Sequence, residues 1–412
     1  MQKSIMVFFG LYAAALQTSM AAMEIGAWAL FVLFLISFVR ARMPWSELKI
    51  GTEIPFVLFV IPIIIGAIRA PVPFKEALDF VGWTRWILLL YAFYFLFRHN
   101  LKLSWEKGHR FWLVVSIIAS IYAFMQFEWG IELIRRHEDL DPLGSHWRAM
   151  GFFNLCLTFA YEIGMVGLSA LALALINARQ EKKCVAIFAA IAYVAVGIAI
   201  MATLTRGAWL AFAIASSIVV LVFSPRRGVP VVVAAMVTAA VMIAVVPALH
   251  DRFLSIFNTT SDVSNSLRLL IWKTNWMIFK DHPIIGVGLA QNTRLAPEYY
   301  AMLGQGNVDF TSHAHNNILE FLSCIGLVGT IGYLWFSVFF IIKGFQLYMR
   351  AGWDHAWFKA IGLGSLGAQL YFHVGGMTEC NFVDAEVNHT LIFIWAITLG
   401  ALAIVNREKR NA

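Results

Sequence analysis

TSHAHNNILEFLSCIGLVG, residues 311 to 329, sets two histidines and two asparagines directly against a run of apolar residues. Whether that run is a membrane helix decides the fold, and the rest of the chain answers it. Of the 412 residues 60% are hydrophobic and 13% charged, with a mean hydropathy of +0.74, far from the composition of a soluble globular domain. A helix needs about 20 mostly apolar residues to cross the hydrocarbon core of a bilayer. The chain supplies twelve such runs, roughly at 4–20, 22–39, 54–68, 79–97, 111–129, 152–176, 184–203, 207–223, 229–249, 317–342, 357–377 and 389–405. The fold class is therefore an all-α integral membrane protein of about twelve transmembrane helices, a single polytopic domain over residues 1–412.

Orientation follows from lysine and arginine, which stay on the cytoplasmic side. With the N-terminus inside, the inner joints collect most of the 31 basic residues, among them Arg40, Arg42, Arg98, Lys182, Arg226, Arg227 and Arg350. Both termini are then cytoplasmic. The first run leads straight into the second with no convincing cleavage site, so no signal peptide is read. The formal charge of +7 reflects topology and gives no basis for nucleic-acid binding. Cys156, Cys184, Cys324 and Cys380 are scattered, without the spacing of a disulfide framework or a metal cluster.

Two outer joints exceed what a turn requires: residues 130–151 and, much larger, 250–316, between the ninth and tenth runs. Long loops of this kind are often functional. In the larger one, SNSLRLLIWKTNWMIFKDHPIIGVGL places Leu269, Trp272, Trp276 and Phe279 at helical spacing before a break at Pro283, Gly286 and Gly288. It reads as an amphipathic helix on the membrane surface, with Arg268 and Lys273 on its wet side. Arg148, Arg206, Arg268 and Arg294 all fall on the outer side, against the general bias of basic residues. A charge at the centre of a membrane helix costs about 2.5–3.5 kcal/mol, less near the interface. These arginines either snorkel to head groups or rim a pocket for a polyanion, a diphosphate above all, through forked hydrogen bonds.

For the histidine stretch three readings stand. Ser312 or Asn316 could cap the following helix, leaving the histidines merely interfacial. His313 and His315 could ligate a metal, with Asp309 or Glu320 as the nearest carboxylates. One histidine could be a general base. RHEDLD, residues 136 to 141 after Arg135, opens like His-Glu-x-x-His and ends on Asp141, so the metalloprotease spacing is absent. The outer acidic residues Glu132, Glu138, Asp139, Asp141, Glu298, Asp309, Glu379, Asp384 and Glu386 read as solvated loop positions.

His315-Asn316, nine residues, then Gly326-Leu-Val-Gly329 resembles the His-(Asn/Ser/Gln)-x9-Gly-x-x-Gly signature of bacterial O-antigen ligases. RAMGFFN, TRGAWLAF, RLLIWKTNWMIFKDHPIIGVGL and HAHNN, in that order, are similar to landmarks of the wider O-antigen ligase and polymerase superfamily. The resemblance implies a GT-C-type membrane glycosyltransferase with a large periplasmic loop. It would move a preassembled glycan from undecaprenyl diphosphate to lipid A-core oligosaccharide at the periplasmic face of the bacterial inner membrane, inverting and metal-independent, with no cofactor. By that likeness His315 is the catalytic base and Arg206 and Arg268 the diphosphate clamp, with Arg148 a third member and His313, Asn316 and Arg294 in support. An O-antigen polymerase or a protein O-oligosaccharyltransferase would share the donor and differ in acceptor. A transporter or flippase would need ionisable residues in the membrane, for which Glu24, Arg85 and Glu162 are the candidates; no internal repeat accompanies them.

Overall fold

A computed structural model describes residues 2–100, 105–134, 140–143, 146–254 and 263–411. In chain order its helices are α1 (Gln2–Ala15), α2 (Met20–Ala41), α3 (Glu53–Arg69), α4 (Phe74–Gly82), α5 (Trp86–Asn100), α6 (Trp105–Trp129), α7 (Cys156–Arg179), α8 (Lys183–Ala202), α9 (Arg206–Phe223), α10 (Pro225–Val245), α11 (Pro247–Leu254), α12 (Val263–Asp281), α13 (Gln291–Met302), α14 (Asn317–Arg350), α15 (Ala356–Gly375) and α16 (Ala385–Asn411). A two-residue hairpin pairs Pro142–Leu143 with His146–Trp147. Each of the twelve apolar runs lies on a helix. Among the described residues nine helical stretches are long and apolar enough to cross a membrane, α4 and α5 counting as one. The remaining three runs fold as α1, α3 and α15, and the first two are only 14 and 17 residues long.

Burial ranks these helices. The apolar window of α7 is 94% buried, that of α16 83%, and that of α10 6%. α7 is thus the hub, packed by α8 and α15, while α10 stands at the rim against α9. An aromatic cluster of Phe59, Trp86, Phe336, Phe382 and Trp395 ties α3, α5, α14 and α16 together, with Phe340 stacked on Trp395 at 4.0 Å. Edge-to-face and offset-stacked rings contribute beyond their buried area.

The tenth run continues past its expected end to Arg350 and is interrupted within. Gly326 has φ 63° and ψ −167°, a region that only glycine adopts without strain. At this break the helical bonds from Leu327 to Ser323 and from Val328 to Cys324 are exchanged for four others. Leu327 and Val328 donate their N–H groups to the carbonyls of Pro283 and Ile284, at 2.8 and 3.1 Å, while the Ser323 and Cys324 carbonyls accept from Val287 and Gly288, at 3.0 and 2.8 Å. The Pro283–Gly288 segment is thereby inlaid into the gap in α14, which binds α12 and α13 to it. Gly286 is as constrained as Gly326: a Cβ on either would lie 2.4 Å from backbone atoms of the opposing strand.

α12 forms where the sequence places it, with a different buried face. Ile271, Thr274, Asn275 and Ile278 are buried, while Leu269 and Trp276 are 42% and 47% exposed. Asn275 decides this: its side-chain oxygen accepts from Ser323 Oγ at 2.7 Å and from Asn292 Nδ2 at 2.9 Å, so a partly polar face turns to the protein, Leu269 and Trp276 turn out, and Trp272 and Phe279 are half-buried between the two. Arg268 consequently points inward, and Lys273 alone of the two is exposed. α13 has no counterpart among the expected runs, because its sequence is polar and carries Pro297.

Gly326→Ala and Gly286→Ala are each expected to destabilise the fold by at least about 1–3 kcal/mol. Thermal unfolding in detergent checks this, with Gly10→Ala, whose added methyl meets open space, as a control that shows no loss.

Candidate active site

Asn316 caps α14, its side-chain oxygen accepting from the N–H groups of Ile318 and Leu319 at 2.9 and 3.0 Å. Capping is therefore a real function of the stretch, and it accounts for Asn316 and not for the histidines. The same residue donates from Nδ2 to the Met377 carbonyl at 2.9 Å. Asn317 adds a backbone bond to the Gly376 carbonyl at 2.7 Å and a side-chain bond to Asn381 Oδ1 at 2.7 Å. The start of α14 is thus stapled to the connection between α15 and α16. His315 lies just outside the cap with φ 46°, a left-handed conformation uncommon for a non-glycine residue.

The staple delivers Glu379 to His315. The carboxylate is 2.9 and 3.1 Å from Nδ1 and only 3% exposed. His313 Nε2 and the Arg268 guanidinium stand 3.6 and 3.7 Å from it. Burial pushes the Glu379 carboxyl up, but the His315 hydrogen bond together with the charges of His315, His313 and Arg268 holds it below its ordinary value. An ionised carboxylate can only accept a hydrogen bond. In a neutral imidazole the proton therefore sits on Nδ1 and the lone pair on Nε2, which stands 3.4 Å from Ser312 Oγ. Glu379 corrects the solvated-loop reading of the outer acids: it is buried because its loop is pinned to α14. Asp384 is also largely buried, accepting from Thr158 Oγ1 at 3.0 Å. Asp141, Glu298 and Asp309 are exposed, Glu132 is bound by Tyr122 and Gln126, and Glu138 and Asp139 lie outside the described residues.

His315 opens on a cavity of ≈ 380 Å³ that Arg148, Arg206 and Arg268 also line, with Tyr161, Thr205, Gly207, Phe310 and Thr378. Three arginines spread over more than a hundred residues of sequence thus share one wall system with the histidine. Each is positioned by a separate contact. Arg148 donates from Nε to the Thr203 carbonyl at 3.2 Å. Arg206, the first residue of α9, reaches Asn265 Oδ1 on α12 at 2.9 Å. Arg268 is carried on α12 and faces Glu379. Thr205, the residue before α9, makes no side-chain cap, so the positive end of the α9 dipole adds to the guanidinium charge. Arg294 is not part of this group: it is exposed and paired with Glu76 at 2.5 Å.

The carboxylate that joins the two histidines is thus Glu379, in place of Asp309 or Glu320. Glu320 instead fixes the histidine loop, accepting from the Ala314 N–H at 2.7 Å and from Asn292 Nδ2 at 2.9 Å. The arrangement can take up a proton at His315 Nε2, stabilise the resulting imidazolium through Glu379, and hold a polyanion between guanidinium groups.

Residues 191–334 match the sequence profile of a family described as O-antigen ligase. No curated protein matches the chain. The matched stretch contains Arg206, Arg268 and His315 and leaves out Arg148 and Glu379.

Asp384 gives a pH test of the site's surroundings. Burial raises its pKa from an ordinary 3.8 to about 7, Thr158 opposing and the charges of Glu379 and Glu386 adding. The folded chain then keeps a proton that the unfolded chain releases, so this group's contribution to stability falls as pH rises from about 4 to about 7. Asp384→Asn removes that loss, and its thermal midpoint relative to the native chain is expected to be higher at pH 8 than at pH 5.

Proposed function

We propose that this member of the O-antigen ligase family, a multi-pass membrane protein acting on lipid-linked glycans, is the ligase itself: it transfers a preassembled glycan from undecaprenyl diphosphate to lipid A-core oligosaccharide. In this reading the cavity opens on the periplasmic side of the inner membrane, both termini are cytoplasmic, and twelve helices span the bilayer in a GT-C-type arrangement. The outward Leu269 and Trp276 rest α12 on the head-group layer, and α12 roofs the site. The observation that carries the proposal is the convergence of Arg148, Arg206, Arg268 and His315 on one cavity, with a buried carboxylate behind the imidazole.

The chemistry follows from that geometry. The acceptor hydroxyl gives its proton to His315 Nε2 as its oxygen attacks the anomeric carbon, and the bond to the diphosphate oxygen breaks on the opposite side. One displacement inverts the anomeric centre. Glu379, hydrogen-bonded to Nδ1, keeps the imidazole in the required tautomer and stabilises the imidazolium. Negative charge growing on the leaving diphosphate meets the guanidinium groups, which are fixed before the reaction begins. A diphosphate at head-group depth and a prenyl tail in the bilayer bring the scissile bond to the lip of the hydrocarbon, where the loop before α14 holds His315. Holding both lipid-anchored partners at that depth removes much of the entropy loss of bringing them together.

Of the ionisable residues that would serve a transporter, Glu24 pairs with Arg85, with His389 3.6 Å from Glu24, and Glu162 accepts from Thr390 at 3.2 Å through one oxygen while the other is buried without a partner.

The purified chain in nanodiscs, given prenyl-diphosphate glycan and lipid A-core, is expected to form the joined product. Glycan lengthening without use of lipid A-core would identify a polymerase instead. His315→Ala should reduce transfer by at least about 100-fold while leaving membrane insertion intact; retained activity removes the base assignment. Arg206→Lys, which keeps the charge and loses the fork, is expected to lower transfer at least tenfold. Glu379→Gln should lower kcat by on the order of 100-fold or more with little change in KM, and chelation with EDTA should not reduce the rate.

A further inference from the structure

The loop before α14 and the connection after α15 bring three metal-ligating side chains to one point. His313, His315 and Glu379 each offer a donor atom, and these lie within 4.8 Å of one another. From Glu379 Oε1 the separations are 2.9 Å to His315 Nδ1 and 3.6 Å to His313 Nε2. A tetrahedral zinc ion with bonds of about 2.0–2.1 Å sets its donors roughly 3.3 Å apart. The two separations through Glu379 are within about 0.4 Å of that spacing, and the two histidine donors, within 4.8 Å of each other, draw together by up to about 1.5 Å to close on one ion, leaving a fourth position open. The backbone that carries them is already fixed by the Asn316 and Asn317 staples and by Glu320 on the Ala314 N–H. We propose that His313, His315 and Glu379 form a binding site for a divalent transition metal of the zinc class, and that its occupancy switches the active site off.

Inhibition follows from where the imidazole proton must go. A neutral histidine has one N–H and one lone pair. With Glu379 as acceptor the N–H is at Nδ1 and the lone pair at Nε2. A metal on Nδ1 takes the lone pair of that nitrogen, so the proton moves to Nε2 and none leaves the ring. The atom that would receive the acceptor hydroxyl's proton is then already protonated. Two features oppose binding. The Arg268 guanidinium is 3.7 Å from Glu379, and His313 Nδ1 accepts the His315 N–H at 3.2 Å, a bond lost when the His313 proton moves from Nε2 to Nδ1. The site is thus reversible, weaker than a structural zinc centre. Its inhibitory half rests on the proposed function, and its binding half does not.

Zinc is titrated calorimetrically into the metal-stripped full chain in nanodiscs, with the visible absorption of cobalt as a second readout. One ion per chain is expected. Affinity should fall at least tenfold in His313→Gln and in Glu379→Gln and rise in Arg268→Gln. His313 has a side chain 38% exposed, so its variant tests the site without removing a buried group. In transfer assays zinc should stop the native chain, a chelator should restore it, and the half-inhibiting concentration should rise at least tenfold in His313→Gln. Absence of saturable binding, or binding undiminished in both ligand variants, overturns the site. Full occupancy with an unchanged transfer rate overturns the switch. A chain that binds zinc through these residues yet never transfers glycan supports the site and refutes the function proposed above.

Discussion

The break at Gly326 is the constraint on which the site depends. A helix interrupted at membrane depth exposes N–H and C=O groups, and each one left unpaired in hydrocarbon costs several kcal/mol. Here the Leu327 and Val328 N–H groups and the Ser323 and Cys324 carbonyls are all paired with the Pro283–Gly288 segment. The inlaid segment in turn fixes the end of α12 and the start of α13 against α14. Arg268, carried on α12, and His315, at the head of α14, are then parts of one rigid unit. The nine residues between Asn316 and Gly326 measure the distance between the two devices, at about 1.5 Å each: a cap that ends the histidine loop and a break that receives the inlay.

A second junction sets the chemistry. The start of α14 is bonded to residues 376–381 through Asn316 and Asn317, and this puts a buried carboxylate behind His315. Removing an ionised carboxylate from water carries a penalty of several kcal/mol unless partners compensate it. Two histidines and Arg268 supply that compensation at 2.9 to 3.7 Å. The same carboxylate orders the imidazole tautomer. Arg148, Arg206 and Arg268 bring positive charge to the cavity wall, with Asp141 3.4 Å from Arg148 and Glu379 3.7 Å from Arg268.

Transition-metal ligation and base catalysis at His315 draw on the same lone-pair chemistry. An imidazole held against a carboxylate presents two donors to a transition-metal cation, and His313 stands near as a third. Arg268 is the counterweight, favouring an anion on the cavity side of Glu379 and opposing a cation on the other.

The long apolar helices were legible in the sequence from their runs of apolar residues, and the candidate arginines and histidine from their contrast with those runs, both of which are local properties. His315 was picked out by its place beside Asn316 and ahead of the Gly326 spacing, Arg206 by its isolation between two apolar runs. Other features were not legible. Glu379 looks like any outer-loop acid, since its burial arises from pairing with a segment 64 residues away. Arg294 has the same local setting as Arg268, yet helix rotation sends one to Glu76 and the other to the cavity. α12 showed its helical period but not its buried face, which Asn275 chooses through bonds to α13 and α14. Sequence by itself determined which segments form long apolar helices and which residue types flank them, because hydropathy and charge act residue by residue. Tertiary structure alone decided which of those residues share a cavity and which nitrogen of His315 meets the buried carboxylate, because both depend on hydrogen bonds between segments far apart in the chain.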